Sequence, residues 1–277
     1  MGLRSHVLAR GRGWSVSDVV CGYGPQDRPF EEQHGSFTVG AVMSGTFQYR
    51  TTQGSAVLAP GAMLLGNHGH GFACGHEHST GDRCLAFHVD GEYFDALVGD
   101  AGGESKFSVA SVPPLASLAP LLAAGEVARD ERDESQLEEL VARVLGAVAS
   151  ALAGGAGYGR RKISPADIRR VSDVIRWIDA HSEQPIALEK LARRVAMSPF
   201  HFLRTFREVA GVTPHQYLLR TRLRRVCVAL RTSQEAVSAL AFEAGFSDLS
   251  TFNRQFRRIV GSTPGEYRSG VSRGCNF

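Results

Sequence analysis

Between about residues 15 and 110 the apolar positions come in short runs, alternating or continuous: Ser36–Met43, Phe47–Arg50, Ala56–Leu58, Met63–Leu65 and Cys84–Val89. Gly-rich turns such as Ser44-Gly45, Gln53-Gly54 and Pro60-Gly61 separate them. Several short strands at this spacing predict a small β-barrel or sandwich. From Pro113 the period lengthens. Leu115–Ala124 and Gln136–Leu152 carry apolar residues at helical spacing, with Leu137, Leu140, Val141, Val144, Leu145 and Val148 on one stripe. That stripe has two available partners, the β structure of its own chain or the same stripe in a second copy. Gly154-Gly155-Ala156-Gly157-Tyr158-Gly159 then reads as a flexible linker. The chain divides into an all-β region 1–112, a helical linker or dimerisation region 113–153, a flexible linker 154–164 and an all-α domain 165–270.

Within the helical part a motif occurs twice. Phe200 to Tyr217 reads FHFLRTFREVAGVTPHQY, and fifty residues later Ser250 to Tyr267 reads STFNRQFRRIVGSTPGEY. The identities are Phe202/Phe252, Arg204/Arg254, Phe206/Phe256, Arg207/Arg257, Gly211/Gly261, Thr213/Thr263, Pro214/Pro264 and Tyr217/Tyr267. Two copies are too few for a solenoid, so they predict two similar small units. In the first copy, a helix over Ile186–Ala196 precedes Ser198, a natural N-cap, with Pro199 at the first helical position. The next helix runs from Pro199 to Val209 and stops at Gly211. Thr213-Pro214 starts a third by the same device. The second copy repeats this with Ala236–Ala244, a turn at Gly245-Phe246 and a helix from about Asp248 to Val260. Helix, tight turn and Arg-bearing second helix make a helix-turn-helix.

The faces of each second helix sort by chemistry. Phe202 and Phe206, like Phe252 and Phe256, stand at i and i+4 and face a core. Phe200, His201, Leu203 and Arg204 lie off that face in one copy, and Ser250, Thr251, Asn253 and Arg254 in the other. Such side chains reach base edges: Arg to guanine, Asn to adenine, apolar groups to the thymine methyl. Arg207, Arg257 and Arg258 suit phosphates. The helix Pro214–Leu230 between the copies carries Arg220, Arg222, Arg224 and Arg225 and would hold the two reading helices at a fixed separation. Charge agrees with this. Residues 1–159 hold 10 Lys/Arg against 18 Asp/Glu, whereas residues 160–277 hold 21 against 10, a balance of −8 beside one of +11. The basic cations are almost all Arg, which suits bidentate recognition of phosphate and guanine.

These residues resemble a known family. GFSDLSTFNRQFR from Gly245 to Arg257, followed by GSTPGEYR from Gly261 to Arg268, is similar to the signature of AraC/XylS-type transcriptional regulators. The resemblance covers Ile168 to Arg268. It implies two helix-turn-helix units reading successive major-groove turns on one face of double-stranded promoter DNA. Position by position it assigns base reading to Phe200, His201, Leu203 and Arg204 in one unit and to Leu249, Ser250, Thr251, Asn253 and Arg254 in the other. Phe200 and Leu203 depart from the larger aromatic and the polar residue that relatives often carry, which favours thymine-methyl contacts in the first half-site. The resemblance further implies that region 1–112 is a cupin-like barrel that senses a small molecule or metal ion and dimerises, the DNA-bound protein then working with RNA polymerase.

One stretch of the β region carries chemistry of its own. Asn67 to Val89 reads NHGHGFACGHEHSTGDRCLAFHV. On a strand, Cys74, His76 and His78 would project from one face, and a turn over Ser79–Asp82 would bring Cys84 back beside Cys74. His70 and His88 have the parity to extend the strip. Two Cys with two or more His suit Zn²⁺ or another transition metal such as Ni²⁺ or Cu⁺. Cys74 and Cys84 could instead form a reversible disulfide, making a thiol redox-responsive regulator, or the strip could line an organic-ligand cavity. Cys21, Cys227 and Cys275 carry no pattern, and Cys227 reads as a buried helix residue.

The N-terminal sequence lacks the apolar core of a signal peptide, no apolar run is long enough to span a bilayer, and five scattered Cys do not make a disulfide framework. A reducing cytoplasm, with no membrane partner, is the expectation. A cupin-type metalloenzyme with an accessory DNA-binding domain is the alternative to a regulator. It leaves the basic repeat unexplained, so the chain is read as no enzyme.

Overall fold

Strand register sets the face of every side chain in the β-rich half. The computed structural model describes residues 2–76, 81–99, 106–154 and 164–269. Ten strands, all antiparallel, form two sheets: β1 (Leu3–Gly11), β2 (Trp14–Cys21), β3 (Phe30–Gln33), β4 (Phe37–Gly45), β5 (Phe47–Thr51), β6 (Gly54–Leu58), β7 (Met63–Gly66), β8 (Gly71–Gly75), β9 (Asp82–Val89) and β10 (Ser111–Val112). A six-stranded sheet has the order β1-β2-β9-β4-β7-β10, and a four-stranded sheet the order β3-β8-β5-β6. Strand alternation splits the large sheet cleanly. Leu85, Phe87 and Val89 of β9, with Val39, Ala41 and Met43 of β4, join a core shared with helices. Cys84 and Val42, on the opposite face, pack with Phe47, Tyr49, Leu58 and Cys74 of the small sheet.

The runs predicted from Ser36 to Val89 are strands. Two features differ from the expectation. β1 begins before residue 15, where the sequence is too polar to announce a strand: it is an edge strand, mostly exposed and paired only to β2. A helix, α1 (Gly91–Gly99), interrupts the β region, capped by Asp90, whose carboxylate accepts the Tyr93 N–H at 2.9 Å.

Helices α2 (Ala119–Glu131) and α3 (Glu134–Ala153) follow. The apolar stripe of α3 settles its partner: Leu137, Leu140, Val141, Val144, Leu145 and Val148 are all buried in the core beneath the large sheet. Of its two available partners, this stripe is covered by the β structure of its own chain. The Gly-rich linker lies, beyond Gly154, outside the described residues up to Ser164.

The helical part comprises α4 (Pro165–Ala180), α5 (Leu188–Arg194), α6 (Pro199–Ala210), α7 (Pro214–Thr232), α8 (Val237–Glu243), α9 (Leu249–Val260) and α10 (Pro264–Arg268). Two cores form here. One gathers Ile175, Ile178, Leu191, Phe202, Phe206 and Tyr217 and also takes Val57 and Ala59 from the β-rich half. The other gathers Leu223, Val226, Cys227, Leu240, Phe252 and Phe256 and takes Ala123 from α2. The helical part therefore docks on the β-rich half through shared apolar contacts, with Arg224 of α7 3.8 Å from Glu126 of α2.

Candidate nucleic-acid interface

The sequence repeat is a structural repeat, held by the same bonds. Ser198 caps α6 by accepting the His201 N–H, and Asp248 caps α9 by accepting the Thr251 N–H. Gly211 and Gly261 end these helices in the left-handed region, at φ 72° and 84°, each donating its N–H to the carbonyl of the paired arginine, Arg207 or Arg257, at 3.0 Å. Thr213 and Thr263 then open α7 and α10 with capping boxes, to Gln216 and Glu266. Inside, Phe202–Phe206 and Phe252–Phe256 stand with ring centres 5.6 and 5.5 Å apart, and Tyr217 and Tyr267 close edge-on against the second ring of each pair. The turns match as well. Ala196 at φ 52° and Gly245 at φ 94° occupy the equivalent left-handed position, and Met197 and Phe246 donate back to Ala192 and Ala241 at 3.0 and 3.1 Å.

With the aromatic faces buried, the opposite faces are fixed outward. On α6, Phe200, His201, Arg204 and Arg207 are exposed and Leu203 is half-buried. Phe200 is 78% exposed, a large apolar side chain offered to solvent at the start of the helix. On α9, Ser250, Asn253, Arg254, Arg257 and Arg258 are exposed, while Leu249 and Thr251 are half-buried. The expected base-reading and phosphate sets thus fall on one accessible face of each helix.

Two features were missed in the sequence. Arg204 is paired to Glu208 at 3.0 Å, whereas the second copy has Arg258 where the first has Glu208. The i, i+4 spacing that makes this pair is legible in the sequence. Such exposed pairs are worth only ~0.3–0.5 kcal/mol, so Arg204 is oriented and readily released. Second, two arginines of α7 are spent on the chain's own backbone carbonyls. Arg222 donates to the carbonyls of Ser182 and Gln184 at 2.6 and 2.7 Å and lies over the Phe246 ring, and Arg225 donates to the Asp179 carbonyl at 2.7 Å. These bonds tie α7 and the second turn to the loop after α4. Nothing but the tertiary fold reveals which arginines are spent this way.

Tyr217 and Thr221 donate to the Asp179 carboxylate at 3.1 and 3.4 Å. Burial raises Asp179 to about 6 from its ordinary 3.8, against the opposing pull of Arg224 and these hydrogen bonds.

The Cys/His strip is rearranged. β8 and β9 belong to different sheets, so Cys74 pairs with Tyr49 and Phe30, and Cys84 pairs with Val19 and Val42. The expected hairpin placing Cys84 beside Cys74 on one strip is overturned: the chain crosses from one sheet to the other between them. Both thiols are free and buried in the core between the sheets. His78 lies outside the described residues. His70 and His88 go elsewhere: His70 meets Thr52 and Gln53, and His88 meets Thr38 at 3.1 Å. His76 instead gathers two residues that sequence spacing gave no reason to join. Its Nδ1 lies 4.0 Å from Cys21 Sγ, and its Nε2 contacts the Asp82 carboxylate. Burial pushes the Cys21 thiol up to about 11 and raises Cys74 and Cys84 as well. His34 is buried in the β-rich half, bonded to the Tyr49 hydroxyl at 2.7 Å and pushed down to about 4 by desolvation.

Comparison with known proteins bears on the helical part. Residues 191–270 match the family described as "Helix-turn-helix domain". Regulatory protein SoxS of Escherichia coli (strain K12) is 35% identical over 98 residues, which are 35% of this chain and 92% of that protein. The HTH-type transcriptional activator RhaS of Escherichia fergusonii is 36% identical over 101 residues, 36% of each chain. Among solved structures, the DNA-binding domain of AdpA, a global transcriptional factor, in complex with a target DNA is 32% identical, with a TM-score of 0.36, covering 37% of this chain and 92% of that one.

Proposed function

The chain belongs to the AraC/XylS family of transcriptional regulators, and from that premise we propose that α6 and α9 are the recognition helices of two helix-turn-helix units that read a promoter site. The observation that carries this reading is the matched outward face of the two helices. Equivalent caps and aromatic pairs orient Arg204 and Arg254 alike, on exposed surfaces with no core to fill. Phe200, His201, Leu203 and Arg204 face one half-site; Leu249, Ser250, Thr251, Asn253 and Arg254 face the other. Phe200 suits a thymine methyl and Asn253 an adenine edge, so the site has two unlike halves. Arg207, Arg257 and Arg258 neutralise phosphates beside them.

The β-rich half, read as a cupin-like sensor, is the regulatory input. Support comes from its shared cores with both helical units: Val57 and Ala59 enter one and Ala123 the other. A ligand that favours one packing of α2 on α7 shifts the population of DNA-competent chains, and with it contact with RNA polymerase.

Selection of bound sequences from a random DNA pool by the full-length protein tests the reading. Expected is an asymmetric site with two conserved blocks on one face of the duplex. Recovery of a single block, or of no sequence preference, refutes two reading helices.

A further inference from the structure

The β-rich half contains a second constellation that DNA reading does not use. Cys21 ends β2 and Asp82 begins β9, and the antiparallel register sets them directly opposite each other. Cys84, two residues on, shares the Asp82 face, and its Sγ lies 3.6 Å from Asp82 Oδ1. His76 arrives from the other sheet, just past the end of β8, and enters between them. One ligand atom each from Cys21, His76 and Asp82 lie mutually within 4.8 Å, and the three residues are almost fully buried. Gly45 makes the close approach possible: at φ +79°, a Cβ there would sit 2.3 Å from the Gly81 carbonyl and 2.6 Å from the Asp82 Cα. The Phe47 ring stacks on His76 at 5.8 Å and closes the apolar wall.

We propose that Cys21, His76 and Asp82 form a binding site for a borderline transition-metal ion of the Zn²⁺ class, with Cys84 completing the set. Thiolate, imidazole and carboxylate are the three donor types that Zn²⁺ takes, and four-coordinate closure suits a buried site. A tetrahedral ion with bonds of ~2.0–2.3 Å spaces its ligand atoms about 3.5 Å apart. The Cys21–His76 separation of 4.0 Å and the Cys84–Asp82 separation of 3.6 Å approach this spacing, and the His76–Asp82 contact opens as both donors turn onto one ion. The His76 imidazole meets Cys21 at Nδ1 and Asp82 at Nε2, so a single ring nitrogen binds the ion and the donor on the other nitrogen turns onto the same side of the ring. A Cys-His-Asp nucleophile triad has the same composition. Burial argues against it, since a nucleophile must meet a substrate and this thiol is enclosed. Metal entry releases the Cys21 and Cys84 protons to solvent and changes no oxidation state. That the ion acts as a signal rests on the sensor reading above; that the site binds it does not.

The test is a cobalt titration of the full-length protein, reduced and stripped with a chelator. Expected is a saturable thiolate-to-cobalt charge-transfer band at one equivalent per chain, displaced by Zn²⁺. The band should vanish in Cys21→Ser and His76→Ala and persist in Cys227→Ser, whose thiol lies in the distant helical core. Absence of the band in the wild-type protein overturns the proposal whatever the variants do. So does a band unchanged in both Cys21→Ser and His76→Ala. No DNA enters the assay, so failure of promoter reading leaves its result intact.

Discussion

Arg204 and Arg254 occupy equivalent places on equivalent helices, yet their surroundings differ. Arg204 is held by Glu208, while Arg254 rests near the Thr251 hydroxyl at 3.5 Å. Replacing Arg254 with Ala should cost ~1–3 kcal/mol on the selected site and relax preference at one base pair, because a bidentate base contact is lost. Arg257→Ala should weaken binding to every sequence alike and flatten the dependence of log K on log salt by about one unit. Gel shifts on selected and scrambled DNA across a salt series separate the two, and equal losses on both DNAs for Arg254→Ala would remove its base-reading role. At this scale repeat and spacing were a good guide to exposure on the helices, since they put Arg204, Arg207, Asn253, Arg254 and Arg257 on exposed positions. They failed for Cys21 and Asp82. Fifty-five residues separate Cys21 from His76, and no local period connects them.

Elements are fixed by turns and by the helix that joins the two units. Gly245 and Ala196 share the left-handed turn position, but only Gly245 is pressed against a neighbour. A Cβ there would lie 2.4 Å from the Glu183 carbonyl. Gly245→Ala should therefore destabilise the protein by about 2–4 kcal/mol, from left-handed strain plus overpacking, whereas Ala196→Gly should change stability by no more than about 1 kcal/mol. Urea unfolding of both variants checks this; similar losses would mean the contact at Glu183 is easily relaxed. Asp179 sets a pH dependence at the junction of α4 and α7. Its folded carboxyl, raised to about 6, holds its proton more tightly than the unfolded chain does. That contribution is fully present below the ordinary carboxylate range and lost as pH rises through about 6. Asp179→Asn should make the melting temperature fall less between about pH 4 and pH 7 than it does in the wild type; parallel curves would show that Asp179 does not govern it.

At the scale of the molecule, a single chain buries its own interfaces. Leu140 of α3 is 2% exposed, within the core beneath the large sheet. Leu140→Ala should cost about 2–5 kcal/mol, with melting curves that do not move when protein concentration changes tenfold; a concentration-dependent loss would instead mark a subunit seam. Local pattern along the chain is enough to divide it into a β-rich and a helical half, to mark the two repeated units and their caps, and to say which face of α6 and α9 looks outward. Those properties follow from local periods, capping residues and charge, all carried by neighbours along the chain. Three things emerge only once the chain is packed: the α3 stripe is covered by its own sheet, Arg222 and Arg225 bond to the carbonyls after α4, and His76 meets Cys21 and Asp82. Each of these depends on which distant strands and helices pack together, and apolar burial, which drives that packing, is non-directional and leaves no signature at any single position.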